Sequence, residues 1–452
     1  MFKQELPWPN DVARLYSRIR HLRWPFWLDS GEGPVGPGRR WHILVADPRW
    51  RILGEKGRTR LIDRQGKQRE LFANPLEVIR EKLREGKRTP SDLPFTGGAL
   101  GCLSYDFGCR LEGIPVEKHG FPELAMGIFD WAILLDRRER RCWLAGEAIP
   151  PDLPGMLEEA ARGKEEVSAG HWSSGRPLAL ISREEYERAF RRIRHYLREG
   201  ECYQVNYAQP FEVACRGDTF ALYLAMREQN PSPYGAYLPF PFGHVLSSSP
   251  EQFLQLRHGR VTTRPIKGTR PRGRTAEEDR RLTRELQQSE KDRAENVMIV
   301  DLLRNDLGKV CEPGSIEVPA LFQVKKFPTV LHLVSTVRGR LGGEEDALSL
   351  LQSCFPGGSI TGAPKHRAMQ IIQELEGRFR EVYCGSIGWI GYDGNMDTNI
   401  AIRTLLVRDG RATYWAGGGI VIDSRLEEEY QESLDKSAAF FRLFAPAGER
   451  EP

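Results

Sequence analysis

The chain has 452 residues, of which 66 are lysine or arginine and 62 are aspartate or glutamate, so its formal net charge is +4. This length allows one large core or two to three ordinary domains, and a hydrophobic content of 40% is typical of a folded globular protein. The charge is too small to indicate a nucleic acid or an anionic membrane as partner, and no segment approaches the roughly 18 apolar residues of a membrane helix.

The N-terminal stretch MFKQELPWPN has no apolar core followed by a small-residue cleavage site, so we expect no secretory signal. The eight cysteines form no CxxC pair. This spacing argues against a zinc site and against a disulfide framework. We therefore expect buried thiols and a cytoplasmic protein.

The first part of the chain, residues 1–170, is typical of mixed α and β structure. HLRWPFWLDSG and RRWHILVADP predict strands, and NPLEVIREKLREGK predicts an amphipathic helix. The glycine-rich LPFTGGALGCLSYDFGCRLEG predicts a glycine-kinked pair of strands. Residues 151–176 combine Pro, Gly, Ser and charge, which favours a linker. We place a domain boundary near residue 170 and a second domain at 177–446.

The second domain begins with SREEYERAFRRIRHYLREG, a helix with Ser182 and Glu185 in capping-box spacing, and continues into a strand. The basic stretch from Arg257 to Arg284 offers a different, non-enzymatic hypothesis of nucleic-acid binding. No Phe, Tyr or Trp occurs from residue 254 to residue 321, so the stacking surface of a single-strand binder is missing. We expect no nucleic-acid partner.

Two predicted helices each carry a ladder of carboxylates. In QQSEKDRAENVMIVDLLRNDLG, Asp292 and Glu295 share one face. In SRLEEEYQESLDKSAAFFRLF, Glu429, Glu432 and Lys436 lie opposite an apolar stripe. Oxygen ligands of this kind suit Mg²⁺, but each ladder alone is more often a solvated helix face, so a metal site needs independent support.

Two glycine-bearing segments could bind an anion. FPGGSITGAPKHRAM precedes a helix that Pro364 can start, so free N–H groups would face a ligand. It lacks the Lys-Ser/Thr pair of a nucleotide-binding P-loop. YWAGGGIVIDS places Gly417 and Gly419 at the predicted start of a strand, where backbone amides could meet a carboxylate; a β-bulge would explain these glycines equally well.

Several single residues allow both a structural and a functional interpretation. Arg403 lies among apolar neighbours of a predicted strand and should face a carboxylate of the protein or of a substrate. His332 could be a core histidine or a donor in a pocket, and Thr361 and Tyr383 are similarly ambiguous. Lys267, in TTRPIKGTRPRG, could be a solvated loop lysine or a pocket amine, which is nucleophilic only when neutral.

Six segments follow one another along the chain: SSSPEQFL, TTRPIKGTRPRG, SEKDRAENVMIVDLLRND, FPGGSITGAPKHRAM, GSIGWIGYDGNMDTNIAIRT and AGGGIVIDSRLEEEYQESLDK. This order resembles the chorismate-utilising enzymes. The resemblance is dense over residues 175–445 and thinner before them. It implies an α+β fold with a large two-sheet β-sandwich core flanked by helices.

The resemblance also implies a Mg²⁺ site, with Glu295 and Glu432 as ligands and Asp292 and Glu429 reaching the metal through water. The cation would bind the ring carboxylate of chorismate. Arg403, Tyr383 and the amides of two glycines would hold the enolpyruvyl carboxylate. The full set of implied substrate-binding residues is Gln204, Gly268, Thr269, His332, Thr361, Tyr383, Arg403, Gly417, Gly419 and Lys436.

Two positions bear on the type of reaction. Family members that add water carry a lysine where CYQVNYAQ has Gln204, so the resemblance implies that ammonia is added. The family's anthranilate synthases usually read PIAGT, whereas its aminodeoxychorismate synthases typically read PIKGT, as this chain does. Amination to 4-amino-4-deoxychorismate, on the route to p-aminobenzoate and folate, is therefore implied, with anthranilate synthesis as the alternative.

In that reaction Lys267 resembles the amine that attacks chorismate C2, and Glu251 matches an acid that assists departure of the 4-hydroxyl. Partial burial and the neighbouring Arg264 and Arg270 would favour the neutral amine. No Gly-x-Cys-x-Gly glutaminase signature occurs, so a separate glutamine amidotransferase subunit should supply ammonia. A further set of residues matches an aromatic amino-acid pocket of relatives: Ser30, Pro233 and Tyr234.

Overall fold

The computed structural model describes residues 1–445 apart from 34, 35, 37, 117–119, 164–166, 168, 169, 328 and 329. Part of the predicted linker 151–176 and the last residue of the predicted domain 177–446 lie outside this set. None of the described helices is both long enough and apolar enough to cross a bilayer.

The described residues form eleven helices and 25 strands. The helices are α1 Val12–Ile19, α2 Pro75–Arg84, α3 Tyr105–Leu111, α4 Leu153–Arg162, α5 Arg183–Arg198, α6 Thr219–Gln229, α7 Ala276–Gln288, α8 Glu290–Gly308, α9 Ala347–Cys354, α10 Lys365–Glu376 and α11 Leu426–Leu443. The strands of the first half are β1 Phe2–Leu6, β2 Phe26–Asp29, β3 Trp41–Val45, β4 Trp50–Glu55, β5 Arg58–Asp63, β6 Gln68–Leu71, β7 Gly98–Leu103, β8 Leu124–Phe129, β9 Trp131–Asp136, β10 Arg141–Gly146, β11 Trp172–Ser174 and β12 Leu178–Ala179. The strands of the second half are β13 Gln204–Gly217, β14 Tyr234–Phe240, β15 Gly243–Ser249, β16 Gln252–Arg257, β17 Arg260–Thr263, β18 Ile266–Pro271, β19 Glu317–Lys326, β20 Val330–Arg340, β21 Gly362–Ala363, β22 Ser386–Gly391, β23 Met396–Asn399, β24 Thr404–Arg408 and β25 Arg411–Ile420.

The strands build two large antiparallel sheets. Within the described ranges the first sheet has 13 strands in the order β1-β10-β9-β3-β2-β14-β15-β24-β25-β13-β11, with β12 and β21 also paired to β13. The second has 12 strands in the order β18-β20-β17-β16-β23-β22-β7-β8-β4-β5-β6, with β19 also paired to β20. The predicted α+β class with two sheets and flanking helices is confirmed.

Both sheets contain strands from either side of residue 170, because β2 pairs with β14 and β7 pairs with β22. The domain boundary near residue 170, which stays a prediction, does not divide the sheets. Aromatic side chains join the two sheets in one core: the ring of Phe26 in β2 lies 5.7 Å from that of Phe129 in β8, and both are completely buried. Burial of this apolar surface holds the sheets face to face.

The glycine-rich segment predicted as two strands is one strand followed by a helix, β7 and α3. The hydroxyl of Ser104 accepts a hydrogen bond from the Phe107 amide at 3.2 Å and so caps the helix. The expected close packing is present, since a Cβ on Gly101 would lie 2.1 Å from the Ala125 carbonyl oxygen. The prediction of a second strand was wrong, because Ser104 caps α3 and the chain turns into a helix directly after β7.

The helix predicted from Ser182 and Glu185 is confirmed: it is α5, and its capping box is complete. The strand after it, β13, pairs with β25 over ten successive residues, with Asn206 opposite Gly419. This register brings the start of β13 beside the glycines of β25. Pro364 caps α10 rather than occupying its first helical position.

Candidate active site

Lys267 lies in a β-bulge. The pairing of β18 with β20 shifts by one residue between Ile266 and Thr269, and Gly268 within this interval has a positive φ of 81°. A Cβ on Gly268 would lie 2.9 Å from the Asp292 carboxylate, so only glycine lets β18 approach α8 so closely. A bulge turns a side chain out of the regular alternation, and here that side chain is the lysine.

The amine of Lys267 and the carboxylate of Glu251 are connected through one serine. The Lys267 Nζ donates to the Ser359 carbonyl oxygen at 3.2 Å, and the Ser359 hydroxyl donates to Glu251 Oε1 at 2.8 Å. Burial raises the pKa of Glu251, although the Ser359 bond and the charge of Lys267 oppose this rise. A buried acid with a raised pKa is suited to proton donation. The sequence predicted Ser359 only as part of FPGGSITGAPKHRAM, the segment that could bind an anion, and not as a partner of Glu251.

The two arginines expected to repel Lys267 point elsewhere. Arg270 forms ion pairs with Glu285 and Asp292, each at 3.1 Å, and Arg264 donates to the side-chain oxygen of Gln252. The charge of Arg270 is therefore compensated by two acids, whereas Arg264 has a neutral amide as its partner; that both arginines favour the neutral amine stays a prediction.

Three carboxylates from α8 and α11 face one another. A Cβ on Gly418 would lie 3.3 Å from an oxygen of Glu429 and 3.3 Å from an oxygen of Glu432. Burial is the main cause that raises the pKa of Glu295, and the charges of Glu432 and Glu429 add to it, while Lys267 opposes it. The absence of a side chain at Gly418 lets both acids of α11 approach β25.

Lysines neutralise two of these acids. The Lys291 Nζ lies 3.2 Å from Glu429 Oε1, and the Lys436 Nζ lies 2.6 Å from Glu432 Oε1. The charge of Lys436 is the main cause that lowers the pKa of Glu432. Glu429 is almost completely buried, although the helical pattern predicted a position opposite the core. Lys291 was not predicted, yet its place four residues before Glu295 could have indicated it.

The donor set suits a hard cation, because two carboxylates of α11 lie over Gly418 and their charges act on Glu295 of α8. Among the described residues, no hydrogen bond or ion pair engages the carboxylate of Glu295. No group of three His, Cys, Asp or Glu side chains among them is already in metal-binding geometry, and two of the acids are paired with Lys291 and Lys436. Asp292 is paired with Arg270 instead.

His332 and Thr269 lie together on neighbouring strands, with the Thr269 hydroxyl 2.9 Å from His332 Nδ1. His332 is 3% exposed, and burial, assisted by the charge of Arg403, lowers its pKa to about 3. Thr361 is completely buried and donates to the Gly357 carbonyl at 3.1 Å. The pocket wall here is uncharged and polar.

Tyr383 stacks on Trp415, with ring centroids 5.9 Å apart and planes 9° from parallel. Arg403 does not lie in a strand as predicted: it precedes β24 with a positive φ of 50°. Within the described part of the chain its guanidinium has no hydrogen bond or ion pair. The predicted protein carboxylate is thus absent from that part, and the charge remains available to a ligand.

The three consecutive glycines of β25 lie near the end of the strand and not at its start as predicted: Gly417, Gly418 and Gly419. They pair with β13 without a register shift, so they form no bulge. A Cβ on Gly417 would lie 2.1 Å from the Tyr207 carbonyl oxygen. The Lys436 Nζ donates to the Gly417 carbonyl at 2.9 Å. The glycines therefore permit close packing and bring Lys436 to the same strand end.

The family model described as chorismate binding enzyme matches residues 28–442. The chain belongs to the chorismate-binding enzymes. This chorismate-binding enzyme is 44% identical over 438 residues to aminodeoxychorismate synthase component 1 of Klebsiella aerogenes, which covers 95% of the chain and 96% of the relative. It is 34% identical over 467 residues to anthranilate synthase component 1 of Acetivibrio thermocellus, and this match covers 96% of the chain and 93% of that relative.

The fold agrees with that of a solved relative. The crystal structure of anthranilate synthase component I from Streptococcus pneumoniae matches this chorismate-binding enzyme with a TM-score of 0.76 and 31% identity, covering 91% of the chain and 93% of that structure. The resemblance found from the six sequence segments is thereby confirmed at the level of family and fold.

A cavity of about 490 Å³ lies between the sheets of this chorismate-binding enzyme, and Pro233 and Tyr234 line it together with Asp29. The hydroxyls of Ser30 and Tyr234 are buried without a hydrogen-bond partner among the described residues. Of the three residues predicted for an aromatic pocket, Pro233 and Tyr234 line the cavity, whereas Ser30 does not line it and follows Asp29 in the chain. The carboxylate of Asp29 forms an ion pair with Arg227, with 2.6 Å between Asp29 Oδ2 and Arg227 Nε.

The buried His332 predicts a pH-dependent stability of this chorismate-binding enzyme. The folded protein keeps the ring neutral down to about pH 3, whereas the unfolded chain protonates it below about pH 6.5. The free energy of unfolding therefore rises with pH in this window, and His332 contributes about 2 kcal/mol to the rise from pH 5 to pH 7. In urea unfolding, His332→Gln should lose less stability than the wild type on acidification. An equal loss in both proteins would contradict the assigned protonation state.

Proposed function

We propose that this enzyme has the activity of aminodeoxychorismate synthase component I and converts chorismate and ammonia to 4-amino-4-deoxychorismate. The observation that carries the proposal is the half-buried Lys267 of the PIKGT segment, which a bulge turns out of its strand and Ser359 connects to Glu251. The higher identity to an aminodeoxychorismate synthase component than to an anthranilate synthase component supports the same choice. The product would serve p-aminobenzoate and folate synthesis.

In the proposed reaction the neutral amine of Lys267 forms a bond to C2 of chorismate while the bond from C4 to the hydroxyl oxygen breaks. Glu251 supplies the proton with which the hydroxyl leaves as water, and its raised pKa supports this role. Ammonia then bonds to C4, and the bond between C2 and the lysine nitrogen breaks. The new amino group is para to the ring carboxylate.

Binding of chorismate would use the charged and polar groups around this lysine. Arg403, free of protein partners among the described residues, would bind the enolpyruvyl carboxylate together with Tyr383. The remaining contacts would come from the pocket wall and the strand end described above: Gln204, Gly268, Thr269, His332, Thr361, Gly417, Gly419 and Lys436. A neutral His332 can donate only one hydrogen bond, which favours contact with an oxygen of the substrate rather than charge pairing.

We also propose that Glu295 and Glu432 bind Mg²⁺ directly, and that Asp292 and Glu429 contact its water ligands. When bound, the cation would offset the negative charge of the ring carboxylate. The convergence of the acids over Gly418 supports this proposal.

Ammonia would come from a glutamine amidotransferase subunit, since the relative named above is itself called component 1. A cytoplasmic location is part of the proposal, and the eight cysteines, all buried as free thiols, support a reducing compartment. Ser30, Pro233 and Tyr234 would frame a pocket for an aromatic amino acid such as tryptophan, and the unpartnered Ser30 hydroxyl supports a polar ligand group there.

Product analysis tests the proposed function. Purified enzyme with chorismate, Mg²⁺ and ammonium should yield 4-amino-4-deoxychorismate, resolved by chromatography, without release of pyruvate. Removal of Mg²⁺ with EDTA should stop the reaction, and added Mg²⁺ should restore it. Anthranilate together with pyruvate would support the alternative activity and contradict the proposal.

A further inference from the structure

One ion pair beside the site is almost completely removed from water. The side chains of Arg380 and Glu376 are each 1% exposed, and Arg380 Nη2 lies 2.6 Å from Glu376 Oε1. Glu376 is the last residue of α10, and Gly377, with a positive φ of 57°, turns the chain out of the helix. A buried pair of this kind adds little net stability, because desolvation of both charges offsets their attraction. Its other contacts indicate a different role.

The guanidinium of Arg380 joins three segments of the chain. Its Nε donates to Glu376 Oε2 at 2.8 Å, its Nη2 to the Asn206 carbonyl of β13 at 2.6 Å, and its Nη1 to the Ile360 carbonyl at 3.1 Å. Glu376 Oε1 in turn accepts the N–H of Ala208, also in β13, at 2.9 Å. A lysine, whose N–H groups share one nitrogen, cannot reach all these acceptors at once.

The Ile360 carbonyl belongs to the short turn that holds the reactive groups, the 3₁₀ helix Gly358–Ile360. The preceding carbonyl of this turn is that of Ser359, which accepts the amine of Lys267. The Ser359 hydroxyl donates to Glu251. The two backbone hydrogen bonds inside the turn are long, at 3.3 and 3.4 Å. The guanidinium therefore anchors the turn one residue away from the serine that connects the lysine to the acid.

We propose that Arg380 is a positioning residue for the reaction, an inference that rests on the proposed function. By holding the Ile360 carbonyl, it fixes the turn so that Ser359 keeps the amine of Lys267 and the carboxylate of Glu251 in place. It acts through Ser359 and takes no part in bond formation. Loss of this anchor should therefore slow the chemical step more than it weakens chorismate binding.

Arg380→Lys tests this role, since it keeps the charge opposite Glu376 and loses the planar fork. With chorismate, Mg²⁺ and ammonium, kcat should fall at least tenfold, whereas KM for chorismate should change less than threefold. Arg110→Lys is the matched control: the Arg110 Nε donates to Glu123 Oε2 at 2.7 Å, in an ion pair that joins α3 to the residue before β8. Its kcat should stay within twofold of that of the wild type.

A double variant shows whether Arg380 acts through Ser359. Ser359→Ala removes the hydroxyl that donates to Glu251 and should lower kcat as well. When Arg380→Lys and Ser359→Ala are combined, kcat should lie within threefold of that of the slower single variant, because both changes break the same connection. Losses that multiply would show that Arg380 does not act through Ser359.

Hydrogen exchange measures the anchoring without turnover. The backbone amides of Ile360 and Thr361 should exchange at least tenfold faster in Arg380→Lys than in the wild type, because the turn opens more often. In Arg110→Lys their exchange should be unchanged.

An unchanged kcat, a larger effect on KM than on kcat, or unchanged exchange of the turn would overturn the proposal. If Arg380→Lys does not fold, Arg380→Met combined with Glu376→Gln removes both charges, keeps an acceptor for the Ala208 N–H and carries the same expectations. If the wild type forms anthranilate, the proposed function fails while the kcat comparisons still test Arg380. If it consumes no chorismate, the proposed function fails and hydrogen exchange decides whether Arg380 fixes the turn.

Discussion

Replacing Lys267 by alanine is expected to lower kcat for amination of chorismate by on the order of 10³, equivalent to about 4 kcal/mol of transition-state free energy. The reason is that the variant loses the amine that the bulge at Gly268 presents beside Ser359 and Glu251. Steady-state rates with ammonium give the size of the loss. KM for chorismate should change much less than kcat, because the lysine acts mainly in bond formation.

Intact-mass analysis separates a covalent role from an electrostatic one. Without ammonia, the wild type should accumulate a lysine adduct of chorismate less one water, and Lys267→Ala should form none. Lys309→Ala is a suitable control, since Lys309 pairs with Asp306, which also has Lys365 as a partner. A Lys267→Ala variant that aminates chorismate at the wild-type rate would overturn the proposed chemistry.

Replacing Glu432 by glutamine is expected to reduce Mg²⁺-dependent turnover by about a hundredfold or more, because a neutral amide is a much weaker ligand for a hard cation. The shape of the side chain is kept, so α11 should still pack on Gly418. Titration of activity with Mg²⁺ should show a weakened apparent affinity. Binding of Mn²⁺ as a spectroscopic probe should weaken in parallel and gives a readout independent of catalysis.

Glu428→Gln controls for the loss of an acid from the same helix, since Glu428 pairs only with Arg425 on the exposed side of α11 among the described residues. Its turnover and its Mg²⁺ dependence should match those of the wild type. Full activity of Glu432→Gln at the same Mg²⁺ concentration would show that Glu432 is not a ligand of the metal.

Local patterns predicted those parts of the site that depend on neighbours in sequence. The capping box of α5 is a local sequence pattern, and it predicted where that helix begins. The acids of α8 and of α11 are spaced three residues apart, so the sequence predicted that those of one helix share a face. The bulge at Lys267 could not be predicted, because it exists only in the register between β18 and β20. The link through Ser359 likewise depends on a turn far away in sequence.

The errors have the same physical origin. Glu429 was expected on the solvent side of its helix, but α11 packs on a strand of glycines, and the space over Gly418 admits a carboxylate. Arg270 is near Lys267 in sequence, yet Glu285 and Asp292 compensate its charge, which its place in the sequence did not indicate. Ion-pair choice follows tertiary packing, and neither composition nor periodicity contains that information.

The interleaving of early and late strands also bears on how this chain reaches its fold. Leu103 pairs with Ser386 and Leu28 with Ala236, so strands made early in synthesis wait for partners made much later. Such a high contact order predicts slow folding. The unpaired strand edges would meanwhile be exposed to association with other chains. A nascent chain of this enzyme should thus depend on chaperones until nearly the last strand has left the ribosome.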